Sequence, residues 1–299
     1  MCHFKIQYTH KQDMNILAYT TIGFNKDYLV CLDLLIQSLA LCMNQENNKA
    51  LQVKFAVMID KQLENDWNPP TANLAANLKI VKYLVETHSQ ENHDASMNKL
   101  KIFSLMDKHN DKESLYDAVF FLDADMLVSP DFDLAGIMKA FVAHPKKETH
   151  LFAYQECNDQ NDHKNMFWTL PGAYSPTDMK FFADNGILPF NAGCFLFAPN
   201  KALREHFQNI LDMIDKHRGP FFYEQSFMNV YFNKRNLTCI DLLTKSNYRM
   251  FPEDETEYKG TIVHFCGSPG HGGLKSSRMR RYFQKYFRQV AKSTRPTIL

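Results

Sequence analysis

A series of short, almost unbroken apolar stretches, set apart by segments with helical spacing, constrains this chain more than any other feature of its sequence. They are Asn15 to Thr21 (NILAYTT), 53 to 59 (VKFAVMI), 79 to 85 (KIVKYLV), 118 to 128 (AVFFLDADMLV), 150 to 156 (HLFAYQE), 192 to 198 (AGCFLFA), 237 to 243 (LTCIDLL) and 261 to 266 (TIVHFC). A strand with one wet face alternates apolar and polar residues; these scarcely do, so both faces must be covered. Between them Tyr28 to Met43 is too long and too Leu-rich for a strand, and helices are expected near 95–109, 131–144, 200–217 and 224–233. Strands alternating with helices predict an α/β fold, a mostly parallel sheet with helices on both faces.

At 299 residues the chain is long enough to build a full core without disulfides or a structural metal. The expected organisation is a polar leader over 1–14, one continuous domain over 15–274, and a basic amphipathic helix and tail over 275–299. With 34 Lys and Arg against 33 Asp and Glu, the net charge of +1 argues against a nonspecific nucleic-acid binder. The charge is nevertheless uneven, because residues 260–299 hold eight basic side chains and no acidic one. The seven cysteines (2, 31, 42, 157, 194, 239 and 266) are scattered without a CxxC pair and read as reduced thiols. No stretch has signal-peptide or membrane-span character, which leads to the expectation of a cytoplasmic protein.

The strongest local signal is Phe120-Phe121-Leu122-Asp123-Ala124-Asp125-Met126-Leu127-Val128. Two carboxylates two residues apart at the end of an apolar strand point to one side if the chain stays extended. Close anions repel unless a cation sits between them, and oxygen ligands suit Mg²⁺ or Mn²⁺ shared with a substrate's phosphates. The plainer reading is a strand end that caps the next helix. Ligands of open α/β sheets bind at the carboxyl ends of strands, which favours a site.

From here the sequence resembles the metal-dependent, GT-A type glycosyltransferases of family 8, which include glycogenin and bacterial lipopolysaccharide galactosyltransferases. The matching segments, in the family's order, are Ala18-Tyr19-Thr20-Thr21 with Tyr28 and a helix ending Gln37-Ser38-Leu39, Asn98-Lys99-Leu100, FLDADMLV, Phe190-Asn191-Ala192-Gly193, Glu224 to Asn229 (EQSFMN), and Val263 to Gly267 (VHFCG). The resemblance spans roughly residues 15–275 and implies a GT-A (Rossmann-like) fold. It also implies a retaining transferase that moves a hexose, glucose or galactose, from a UDP-sugar to a glycan, protein or small polyol acceptor. In that scheme Asp123, Asp125 and His264 hold Mn²⁺, or Mg²⁺, the imidazole favouring Mn²⁺. Thr20, Thr21 and Tyr28 line the base pocket, with the tyrosine ring stacking on uracil, and Lys99, Ala124, Gly267 and Lys275 complete the nucleotide-sugar contacts. Asn191, Glu224 and Gln225 surround the transferred sugar.

Two departures stand out. Glu224 occupies a position where the family usually has Asp, and the family's lysine three residues after HFCG is replaced by Ser268-Pro269-Gly270-His271-Gly272-Gly273-Leu274-Lys275. Such a glycine-rich turn offers backbone N–H groups to an anion, with Lys275 and His271 as sources of positive charge. In the helix that follows, Met279, Tyr282, Phe283, Tyr286, Phe287 and Val290 form an apolar stripe, and Arg278, Arg281, Lys285, Arg288 and Lys292 lie on other faces. It is read as packed on the domain, with peripheral contact to anionic lipid as the alternative. The rival functional readings are a haloacid-dehalogenase-type phosphatase, whose DxD normally lies near the chain start, and a nucleotide-sugar-binding protein without turnover.

Overall fold

The structure is a computed structural model that describes residues 13–23, 25–70, 74–87, 96–156, 175–216, 224–250, 256–266 and 274–287. In chain order its strands are β1 (Met14–Ile22), β2 (Leu51–Asp60), β3 (Leu78–Val85), β4 (Ala118–Leu122), β5 (Met126–Val128), β6 (Leu151–Gln155), β7 (Phe190–Phe197), β8 (Thr238–Cys239), β9 (Tyr248–Met250) and β10 (Ile262–His264). Its α-helices are α1 (Asp27–Met43), α2 (Ile102–Lys108), α3 (Leu134–Ala143), α4 (Pro176–Asp184), α5 (Lys201–Lys216), α6 (Glu224–Lys234) and α7 (Lys275–Tyr282).

Seven strands form the main sheet in the order β3-β2-β1-β4-β7-β6-β8. The first four are parallel, β7 runs antiparallel to both neighbours, and β6 and β8 are parallel to each other. The period-two alternation of side chains sorts the apolar runs onto two faces. Ile16 and Ala18 of β1 and Phe120 of β4 pack with α1 and α3, whereas Leu17, Tyr19 and Phe121 pack with α2, α5 and α6. The unbroken hydrophobicity of these strands therefore has its expected cause. The reversed direction of β7 is invisible to hydrophobic pattern, because a strand buried on both faces reads alike in either direction.

The stretch 118–128, continuous in sequence, is two strands in two sheets. The chain turns at Asp123–Asp125, and β5 joins a separate three-stranded sheet of order β5-β10-β9. Backbone bonds pin the turn on both sides, Asp123 N–H to Gly193 O at 2.7 Å and Phe265 N–H to Asp125 O at 2.9 Å. Apolarity continues through the break since both sheets are buried. Other differences are smaller. The strand expected over 237–243 contracts to β8, and β9 and α4 were not foreshadowed by the apolar pattern. Helix α4 does carry a start signal, because Ser175 and Asp178 form a reciprocal capping box with Pro176 in the first turn.

Helix α7 continues as a π-helical turn over Phe283–Phe287. Met279, Tyr282, Phe283 and Phe287 are buried against Cys31 and Leu34 of α1, Leu127 of β5, and Val263 and Phe265. The apolar face of this helix is thus used by the core, as the packing reading expected. Val290, Arg288 and Lys292 lie outside the described residues. Among the described residues no helix is long and apolar enough to cross a membrane.

Candidate active site

The parallel strands β1 and β4 are adjacent, yet the chain leaves β1 toward β2 on the opposite side, so their carboxyl ends flank a topological switch point. Thr20 and Thr21 lie near the end of β1, Asp123 follows β4, and Glu156 follows β6. Because β7 is antiparallel, its beginning, Phe190-Asn191-Ala192-Gly193, reaches the same edge. The register between β6 and β7 jumps there, from Ala153↔Phe195 to Tyr154↔Asn191, which leaves Ala192, Gly193 and Cys194 unpaired with β6. Such a bulge re-aims side chains at a strand end.

Asp123, Asp125 and His264 come together with ligand atoms all within 4.8 Å of one another. His264 Nε2 is 3.1 Å from Asp125 Oδ1 and 3.8 Å from Asp123 Oδ2. The turn, rather than extended backbone, aims both carboxylates at the imidazole. One imidazole nitrogen and two carboxylate oxygens make a donor set that fits Mn²⁺ or Mg²⁺. Burial works against a proton on His264, but Cys266 and Asp125 raise its pKa well above the ordinary histidine value. Burial likewise opposes the charge on Asp125, yet His264 and Lys275 hold its carboxyl well below the usual range. The Asp123 carboxyl is pushed up by burial, against the pull of Lys99 and with Asp125 adding to the rise.

The orientation of the His264 ring follows from its neighbours. The Gly193 N–H donates to Asn191 Oδ1 at 2.8 Å, which identifies that atom as the amide oxygen. Tyr248 Oη donates its single proton to the same oxygen at 3.2 Å, and lies 2.6 Å from His264 Nδ1. Tyr248 must then accept from Nδ1–H, which turns Nε2 toward the carboxylates. A metal-ligating histidine is typically fixed in this way through its other ring nitrogen.

Gly193 permits this convergence. A Cβ at that position would lie 2.6 Å from Asp123 Oδ2, 2.7 Å from His264 Cε1 and 2.8 Å from Asn191 Oδ1. The absence of a side chain at 193 thus allows the close approach of the site's own side chains.

The lysines lie where the sequence pointed but are engaged by protein groups. Lys99 is buried, and its ammonium is 2.6 Å from Glu224 Oε1, 3.3 Å from Asp123 Oδ1 and 3.0 Å from Ala192 O. Burial opposes its charge, but Asp123 and Glu224 raise its pKa. Its position is set by Tyr19, whose hydroxyl donates to Lys99 O at 2.9 Å, and by the Phe121 ring 4.5 Å below the ammonium. In Glu224, burial is outweighed by Lys99, which lowers the carboxyl's pKa. Lys99, expected among the nucleotide-sugar contacts, thus stands in a buried ion-pair network with Asp123 and Glu224. Lys275 Nζ contacts Asp125 Oδ2 at 2.5 Å and donates to Tyr28 Oη at 3.2 Å, which joins the expected base-stacking residue to Asp125.

Gln225 Nε2 donates to Glu156 Oε2 at 2.6 Å, and its Oε1 accepts the Ala192 N–H at 3.0 Å. Asn191 Nδ2 also donates to Glu156, at 3.3 Å. Burial raises the Glu156 carboxyl even though Asn191 bonds to it. Glu156 and Tyr248 are the two members of the site that sequence reasoning missed. Glu156 was legible, since it ends the run HLFAYQE at the ligand edge; Tyr248 sits in a three-residue strand with no pattern. Ala124 is buried in the turn, and among the described residues the buried Oγ1 of Thr20 and Oε2 of Glu224 have no hydrogen-bond partner. Gly267 and His271 lie outside the described residues. Arg278 is buried, 5.9 Å from the Phe265 ring.

A second trio, His144, Cys239 and Asp241, also draws together. There the Lys146 N–H donates to His144 Nδ1 at 3.2 Å, and His144 Nε2 lies 3.7 Å from Asp241 Oδ2 and 3.9 Å from Cys239 Sγ. It is a hydrogen-bonded cluster.

No family model matches the chain, and no curated protein matches it. Solved structures do. The galactosyltransferase LgtC in complex with donor and acceptor sugar analogs is 14% identical with a TM-score of 0.54, over 91% of this chain and 96% of that one. An active-site mutant of LgtC gives 14% and 0.56 over the same shares. The apo-form glycosyltransferase GlyE of Streptococcus pneumoniae TIGR4 is 13% identical with a TM-score of 0.53, over 94% of this chain and 63% of that one. The mixed α/β architecture and its seven-stranded, mostly parallel sheet are the GT-A fold of these glycosyltransferases.

Proposed function

We propose that this chain is a metal-dependent, retaining glycosyltransferase that moves a hexose from a UDP-sugar to an acceptor hydroxyl of a glycan, protein or small polyol. The observation that carries the reading is the convergence of Asp123, Asp125 and a His264 ring held by Tyr248 at the switch point of a GT-A sheet. These three residues would hold Mn²⁺, which would supply positive charge to the departing diphosphate. The chain's own groups do the rest. Tyr28, with Thr20 and Thr21, frames the nucleotide base; Lys275 contributes an ammonium beside the metal carboxylate. Asn191, Gln225 and Glu156 form one hydrogen-bonded wall that orients the sugar, and Glu224 backs it through Lys99. Residues 15–274 act as the transferase domain, and α7 closes one side of it.

The phosphatase alternative expects the DxD near the chain start, whereas here it lies at 123–125 and converges with His264. The reading is tested by UDP release from a panel of UDP-sugars with Mn²⁺ and with EDTA. Asp125→Ala should lower metal-dependent release on the order of a thousandfold, several kcal/mol of barrier, with the fold intact. Unchanged release from that variant would defeat the metal assignment, and absence of both release and calorimetric UDP binding in the wild type would defeat the transferase.

A further inference from the structure

The two carboxylates of the DxD are divided in the same way. Asp123 presents Oδ1 to Lys99 at 3.3 Å and Oδ2 to His264; Asp125 presents Oδ2 to Lys275 at 2.5 Å and Oδ1 to His264. Each aspartate thus has one oxygen on an ammonium and the other on the imidazole side. We propose that Lys99 and Lys275 are positioning residues that clamp each carboxylate to a single ligating oxygen and hold the site's own affinity for a divalent ion low until a diphosphate arrives. This rests on the metal reading proposed above.

The clamp follows from charge and reach. An ammonium bonded to one oxygen of a carboxylate draws density from the other and stands only a few ångströms from any ion placed there, where like charges repel strongly in a buried setting. Two such cations on two ligands weaken the protein's hold on a divalent ion, while leaving a narrow three-donor face instead of two chelating carboxylates. A diphosphate reverses the balance, because its charge offsets both ammoniums and the ion together.

The two lysines differ in freedom. Lys99 is fixed, with its side chain 3% exposed, its carbonyl held by Tyr19 and its ammonium shared with Glu224. Lys275 opens α7, its side chain is 25% exposed, and its other partner is Tyr28. It is therefore the member of the pair that senses the nucleotide. Orientation of Asp125 does not depend on it, since the turn is pinned through the Phe265 N–H and His264. Removal of the charge should accordingly tighten ion binding rather than loosen it.

The test is Mn²⁺ binding, read from the electron paramagnetic resonance signal of the free ion, with and without UDP. Lys275→Met should bind Mn²⁺ alone about tenfold tighter than wild type, the scale of effect that outer partners exert on metal sites, and the further tightening caused by UDP should shrink. The same is expected of Lys99→Met combined with Glu224→Gln, which removes the lysine without leaving Glu224 buried and unpaired. A folded Lys275→Met, judged by circular dichroism, that binds Mn²⁺ no tighter than wild type would overturn the clamp alone, provided that wild type binds Mn²⁺ with UDP. Wild type that binds no Mn²⁺ even with UDP would remove the metal reading, and the clamp with it.

Discussion

Replacement of Gly193 by alanine tests the geometry of the site with a single methyl group. The new Cβ would sit 0.6–0.8 Å inside ordinary contact with Asp123 Oδ2, His264 Cε1 and Asn191 Oδ1. None of the three can retreat cheaply. Asp123 is tied to Lys99, His264 is wedged between Tyr248 and Asp125, and Asn191 is held by the Gly193 N–H and Tyr248. Strand β7 cannot retreat either, being buried at all eight positions. Overpacking of this kind costs about 1–3 kcal/mol. The lower entropy of the unfolded alanine chain returns about 0.4–1 kcal/mol, since the backbone at 193 is not left-handed. The net loss, about 1–2 kcal/mol, corresponds to a fall of roughly 2–3 °C in melting temperature for a chain of 299 residues. The chemistry should suffer more, because a ligand displaced by most of an ångström costs on the order of a hundredfold in rate. Differential scanning calorimetry and UDP release with Mn²⁺ measure the two effects. A Gly193→Ala enzyme that melts within about 1 °C of wild type and turns over normally would refute the packed arrangement of Asp123, His264 and Asn191.

Tyr248→Phe removes the group that accepts His264 Nδ1–H and should weaken Mn²⁺ binding about tenfold, at a stability cost of about 1–2 kcal/mol. Equal Mn²⁺ titrations for the two proteins would show that the hydroxyl does not orient the imidazole. Away from the site, Asp111 is bonded by Lys54, Tyr83 and Tyr116. Burial would raise its carboxyl, but these bonds lower it below the ordinary value. Its stabilisation is thus fully present above the unfolded pKa, about 3.9, and is lost as pH falls through the lower folded value. Asp111→Asn should be less stable at neutral pH and lose less on acidification below about pH 4; parallel urea midpoints for both proteins across that range would contradict it.

How much of this was legible beforehand depends on what carried the information. Hydrophobic runs specify burial, so β1, β2, β3, β4, β6 and β7 were readable, with the helices that cover them. Direction and sheet membership are decided by contacts distant in sequence, which is why β7's reversal and the departure of β5 were not. The site divides similarly. Asp123 and Asp125 stood out through residue type at a strand end and His264 through the resemblance, and the three do converge. The ion pair of Lys99 was not legible, because a lysine's sequence context says nothing of the Glu224 that meets it 125 residues later. Tyr248 was unreadable, since its role comes only from the register that sets β9 beside β10.

The division of the molecule into two sheets also bears on how it comes into being. All seven strands of the main sheet lie before residue 240, whereas His264 and Lys275 arrive with the small sheet and α7. Contacts such as Tyr28 with Lys275, 247 residues apart, close late in any folding or synthesis order. A chain emerging from the ribosome can complete its principal sheet, with the Asp123 N–H bonded to Gly193 O, before it holds Phe265, which pins the other side of the turn, or the imidazole of His264. Scaffold and competence are consecutive in time as they are in sequence.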